Sequence, residues 1–198
     1  MASVEQGPAP SGLVDRVKNI LFTPEAEWER IDAEPATVQG LFSGYACILA
    51  AIGPIAQLIS SQIFGLSRMF KSHPPLIASV AQALALYVLS IAGVFVLGLV
   101  IDAAAPRFGC PRDRLRAMKT SVYAWTAIWV AQIFWLLPQI SALQIIGVYS
   151  FYLLFSGTTR LMKPKENALV YGVAGVAAGA VILVLELVIS KAVTDPLF

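Results

Sequence analysis

The sequence predicts an all-α fold, a polytopic integral membrane helical bundle of five transmembrane helices preceded by a short amphipathic arm. Three observations carry this. Of 198 residues, 58% are hydrophobic and 13% charged, about half the charge of an ordinary globular domain. Mean hydropathy is +0.74, so polar side chains are too few to coat a water-facing body. The apolar residues also gather into runs that can cross a hydrocarbon core of about 30 Å, which takes roughly 20 helical residues.

The arm, residues 1–40, is the acidic part of the chain, with seven acids against three bases (Arg16, Lys18 and Arg30). Residues 1–12 hold no apolar core, so no signal peptide is expected and the first span should itself direct insertion. Leu13, Val14, Val17, Ile20 and Leu21 repeat with the spacing of an amphipathic helix. Thr23 followed by Pro24 predicts an N-cap and a first helical residue, opening a second short helix on which Trp28 and Ile31 share a face. Neither helix can make a core alone, which places both on the membrane surface or against the protein's own loops.

Residues 41–198 form the expected transmembrane domain. Its first span, about 41–64, contains Gly53-Pro54, which should kink it because Pro54 donates no backbone bond. The second runs from about 76 to 104. Residues 120–159 carry no charge, and a helix of that length would be about 60 Å long, so the chain must fold back near Pro138-Gln139. That makes a third span at about 117–137 and a fourth at about 139–156, with a re-entrant hairpin as the alternative; the fifth covers about 167–190.

Basic residues near span ends stay on the cytoplasmic side. The arm and the two loops on its side hold eleven Lys and Arg, the other side three (Arg68, Lys71 and Lys191). The N-terminus is therefore expected in the cytoplasm and the C-terminus outside, in a bacterial plasma (inner) membrane.

Three stretches resemble a known family: PEAEW at 24–28, GYACILAAIGPIA in the first span, and VYSFYLLFSGTTRLMKPKENALVYG at 148–172. They look like the bacterial branch of the Yip family, five-span membrane proteins named for eukaryotic members that bind Ypt/Rab GTPases. The resemblance implies five helices and a cytoplasmic N-terminus. For eukaryotic members it implies a part in vesicle traffic and membrane shaping. The arm here is shorter than the N-terminal region of those members, so GTPase binding is not carried over.

The side-chain inventory argues against an enzyme. The single histidine, His73, sits in the 65–75 loop, which removes zinc-protease chemistry and a His-based triad from the spans. The serines of the repeated LFSG at 41–44 and 154–157 have no GxSxG elbow. Cys47 and Cys110 are 63 residues apart and are expected to be free thiols. No cofactor, no metal and no nucleic acid are expected.

Glu186 is the acid within a span, and two readings stay open for it: an anchor reaching headgroups or Lys191, and a functional intramembrane polar site. Gly172, Gly175, Gly179, Ile182 and Glu186 follow one helical stripe, and Gly175-Val-Ala-Ala-Gly179 is a GxxxG, so the stripe should pack on another helix. Asp102 is expected to pair at the membrane boundary near Arg107. Gln57, Gln62, Gln82, Gln132 and Gln144 could line a pathway with Glu186 or bond between helices. Tyr123 and Trp135 suit the two interfaces, and Trp129 suits packing.

The 107–119 loop is strongly basic, with Arg107, Arg112, Arg114, Arg116 and Lys119. Pro111 could open a helix with Arg112, Arg116 and Lys119 on one face, suited to anionic lipid. Net charges of −4 on the arm and +4 on this loop predict that the arm docks over it. The expected function is a non-enzymatic membrane scaffold or adaptor that meets the bilayer, a protein partner through the arm, or a second copy of itself. The alternative is a small-solute or ion transporter built on Glu186 and the glutamines.

Overall fold

A computed structural model describes residues 12–64 and 75–194, all of whose regular elements are helical. The charges expected at Arg68, Lys71 and His73 lie outside the described residues.

The arm forms α1 (Leu13–Phe22) and α2 (Pro24–Ala33). Their apolar faces supply Ile20, Trp28 and Ile31, all fully buried, whereas Val14 at the edge of the α1 stripe is 74% exposed. Thr23 stands at the N-cap with Pro24 at the first position, but its hydroxyl donates back to the Asn19 carbonyl at 3.1 Å instead of capping α2. Thr23 therefore closes α1, and Pro24, which has no N–H to satisfy, starts α2.

The first expected span is one bent rod, Val38–Phe64, made of α3 (Val38–Leu41), a π-helical turn at Phe42–Ala46, α4 (Cys47–Ala50) and α5 (Ile52–Phe64). The break at Ala51 falls where Pro54 withholds its bond, the kink expected of Gly53-Pro54. α6 (Leu76–Ala104) is long and apolar all round, and α10 (Ala168–Thr194) is similar.

Among the described residues, four helical stretches are long and apolar enough to cross a membrane: Val38–Phe64, Leu76–Phe108, Ser141–Leu161 and Ala168–Ala192. The expected third span is built differently. It breaks at Trp125 into α7 (Arg114–Ala124) and α8 (Thr126–Ala131), then tightens into a 3-10 segment, Gln132–Leu136. Nearly every residue from Ala117 to Ala131 is buried. Small and hydroxyl side chains such as Ala117, Thr120, Ser121 and Thr126 let the other helices crowd around it, which explains why this segment is less apolar than its neighbours.

The chain reverses at residues 137–140, the turn expected near Pro138-Gln139. It returns through a 3-10 segment, Ser141–Val148, into α9 (Tyr149–Leu161), so the helix runs past the expected end at Ser156 and carries Arg160 on its last turn. Pro111 does not open a helix: the N-cap is Asp113, whose Oδ1 accepts from the Arg116 N–H at 3.0 Å, leaving Arg112 outside α7.

Candidate functional site

Two polar regions stand out, one where the arm meets the bundle and one at the hairpin end. At the arm junction, the Arg16 guanidinium donates to Glu27 Oε1 at 2.5 Å and to Glu34 Oε2, with the three side chains only 4%, 3% and 8% exposed. Its carbon also lies 5.4 Å from the Tyr123 ring centroid. Tyr123 meets Tyr45 edge to face at 4.8 Å, and the Tyr45 hydroxyl pairs with Thr126 Oγ1 at 2.8 Å. Arm, first span and central helix thus share one polar core, with Tyr123 at its centre.

Lys119 Nζ donates to the carbonyls of Ile31 and Glu34 at 2.6 Å each. These belong to the C-terminal end of α2, where backbone acceptors lack helical partners and the dipole favours a cation. Asp32 pairs with Arg116 at 3.1 Å and Lys163 at 2.5 Å, and Glu25 pairs with Arg160 at 2.9 Å. Trp28 fits because residue 157 is glycine: a Cβ there would stand 2.8 Å from the indole.

The junction differs from the predicted docking in its charges. Arg116 and Lys119 of the basic loop meet the arm, but its most buried acids are neutralised by the arm's own Arg16. Arg160, on the last turn of α9, and Lys163, just beyond it, hold the arm's rim. Arg107, Arg112 and Arg114 are exposed, and Arg114 lies 5.7 Å from the Phe95 ring centroid. Cys47 and Cys110 are free; burial pushes the Cys110 thiol up, away from a reactive thiolate.

At the hairpin end a cavity of about 430 Å³ is lined by residues of α5, α6, α8, α9, α10 and the two 3-10 segments. Gln57, Gln82, Gln132, Gln144 and Glu186 all reach its wall. Two of these polar side chains are seated against glycines of neighbouring helices: a Cβ at Gly53 would collide with the Gln132 side chain, and one at Gly93 with the Glu186 carboxylate. Glu186 Oε1 and Gln57 Oε1 are buried without a hydrogen-bond partner. Trp135 Nε1 donates to Gln144 Oε1, and Trp129 Nε1 donates to Ser90 Oγ at 2.9 Å.

The remaining predicted residues fall elsewhere. Asp102 is nine residues beyond Gly93 on α6, about 13 Å along the axis, and does not line the cavity. Its Oδ1 is buried without a hydrogen-bond partner, while Arg107 is exposed. Gln62 bonds Ser79 Oγ at 2.9 Å between α5 and α6. The glycine stripe meets α9, Gly172 at Phe155, Gly175 at Thr158 and Gly179 at Leu154, and then turns Ile182 and Glu186 toward Gly93 of α6. Sequence reasoning missed Gly93 and Gly157, because a lone glycine in an apolar helix gives no sign of what it faces. Among the described residues no cluster of metal-ligating side chains is present.

No curated protein and no solved structure matches the chain. The Yip1 domain model does, over residues 18–186, from within α1 to Glu186 itself. That span takes in the arm junction except Arg16, three of the four long apolar helices and most of the last, and the cavity wall as far as Glu186, and it marks a multi-pass membrane protein: the chain belongs to the Yip1 domain family.

Proposed function

We propose that this protein is a non-enzymatic membrane scaffold or adaptor whose docked arm and basic loop form a contact platform at the cytoplasmic face. In this reading residues 1–40 are the arm and residues 41–198 the transmembrane domain. The broken α7–α8 segment is the innermost of five spans, in a bacterial plasma membrane with the C-terminus outside. The eleven-to-three division of basic residues supports that orientation.

The observation that carries the proposal is the buried junction of Arg16, Glu27, Glu34 and Lys119. It makes the arm part of the bundle while Glu29, Arg30, Arg107 and Arg112 remain exposed around it. A rigid surface of mixed charge suits a protein or anionic-lipid contact, because little ordering entropy is lost on binding. The cavity residues lie between the hairpin end and Ser90, midway along α6, and the cavity enters this reading as a binding site.

The test is crosslinking in native membranes followed by purification, comparing the full chain with a Glu29→Arg/Arg112→Glu variant that leaves the junction intact. A protein retained in stoichiometric amount by the first and lost from the second is the expected result. Identical retained material from both would overturn the platform.

A further inference from the structure

We propose that the cavity at the hairpin end binds a small organic ammonium, the protonated form of an aliphatic amine. Its volume of about 430 Å³ lies in the range of small-molecule sites, roughly 300–1,000 Å³. Leu86, Leu89, Phe151 and Leu183 give it apolar walls that suit a short alkyl body.

The polar part of the wall selects the headgroup. Among the described residues Glu186 is the one titratable side chain that lines the cavity, and no lysine, arginine or histidine of them faces it there. An anion would find no counter-charge among the described residues, and a neutral solute would gain no ion pair with Glu186 in this apolar setting. The two orphaned buried atoms at this wall, Glu186 Oε1 and Gln57 Oε1, are both acceptors. An ammonium is a compact cation that only donates hydrogen bonds, and so complements a wall that offers a carboxylate and an unpartnered amide oxygen. Gly93 and Gly53 hold space for Glu186 and Gln132, where a side chain on either helix would displace them.

The full-length protein in nanodiscs of neutral lipid is titrated with hexylammonium, with hexanol and hexanoate as neutral and anionic probes of the same chain length. Heat release and intrinsic tryptophan emission are both followed, since Trp135 lies at the cavity wall. Saturable hexylammonium binding is expected for the natural chain and for Asp102→Asn, which changes an acid outside the cavity. Glu186→Gln should bind about ten-fold more weakly or worse, the scale of one lost charge-assisted hydrogen bond. Ser190→Trp, which keeps the carboxylate and fills the cavity, should abolish binding. Equal affinity in Glu186→Gln, undiminished binding in Ser190→Trp, hexanol or hexanoate saturating as tightly as hexylammonium, or no saturable binding by the natural chain would each overturn the proposal.

Discussion

At the arm junction a buried guanidinium holds two carboxylates and a buried ammonium caps a helix end; at the hairpin end a buried carboxylate oxygen rests against Gly93 with no donor beside it. Both regions bury ionisable side chains, yet the first brings opposite charges together from within the chain and the second, among the described residues, does not. A buried charge is tolerated when its counter-charge and hydrogen bonds come with it, and is costly otherwise. The difference separates a structural joint from the cavity proposed above as a binding site.

The sharpest way to break this comparison is at Arg16. Arg16→Ala leaves Glu27 and Glu34 buried without their cation, and should destabilise arm docking by about 3–5 kcal/mol. Proteolysis of the arm and a red shift of the Trp28 emission would report it; an arm that stays protected would mean the pairs contribute little. Next comes Lys119→Met, expected to cost about 1.5–3 kcal/mol through two lost charge-assisted bonds to α2, read in the same proteolysis assay.

Gly157→Ala tests packing at the same joint without touching charge. A methyl 2.8 Å from the Trp28 indole should cost about 1–3 kcal/mol by overpacking, seen as a lower thermal midpoint. Asp32→Asn removes partly exposed pairs at the rim and should cost about 1 kcal/mol or less, the difference shrinking further at high salt. The smallest loss is expected at the hairpin end. Glu186→Met should leave thermal stability unchanged or raise it, since an apolar side chain replaces a carboxylate with an unpartnered oxygen. A large loss there would make Glu186 a structural anchor and erase the contrast between the two ends.

Much of the fold was legible because membrane crossing is written in local composition. The long apolar runs predict α6 and α10, the dyad Gly53-Pro54 predicts the bend in the first span, and Pro138-Gln139 predicts the reversal. The α7–α8 segment was harder to read. Its hydroxyls and small side chains lower its hydropathy, and they do so because it is surrounded by other helices and not by lipid. The amphipathic spacing of the arm marked Ile20, Trp28 and Ile31 as a buried face but could not say what would cover it.

The amino-acid sequence alone determined that this is a helical membrane protein with a polar arm and a basic loop, and that Glu186 is an acid set among apolar residues. Those properties depend on near neighbours in the chain: hydropathy summed over a helix, charge summed over a loop, and a proline's missing donor. Tertiary structure alone decided that Arg16 rather than the basic loop neutralises the arm's buried acids, and that Trp28 lies on Gly157. It also decided that four glutamines from different segments reach the same cavity as Glu186 while Asp102 stays apart. The physical reason is distance: hydrogen bonds and ion pairs act over a few ångströms, and only the packing of helices far apart in the chain settles which groups come that close.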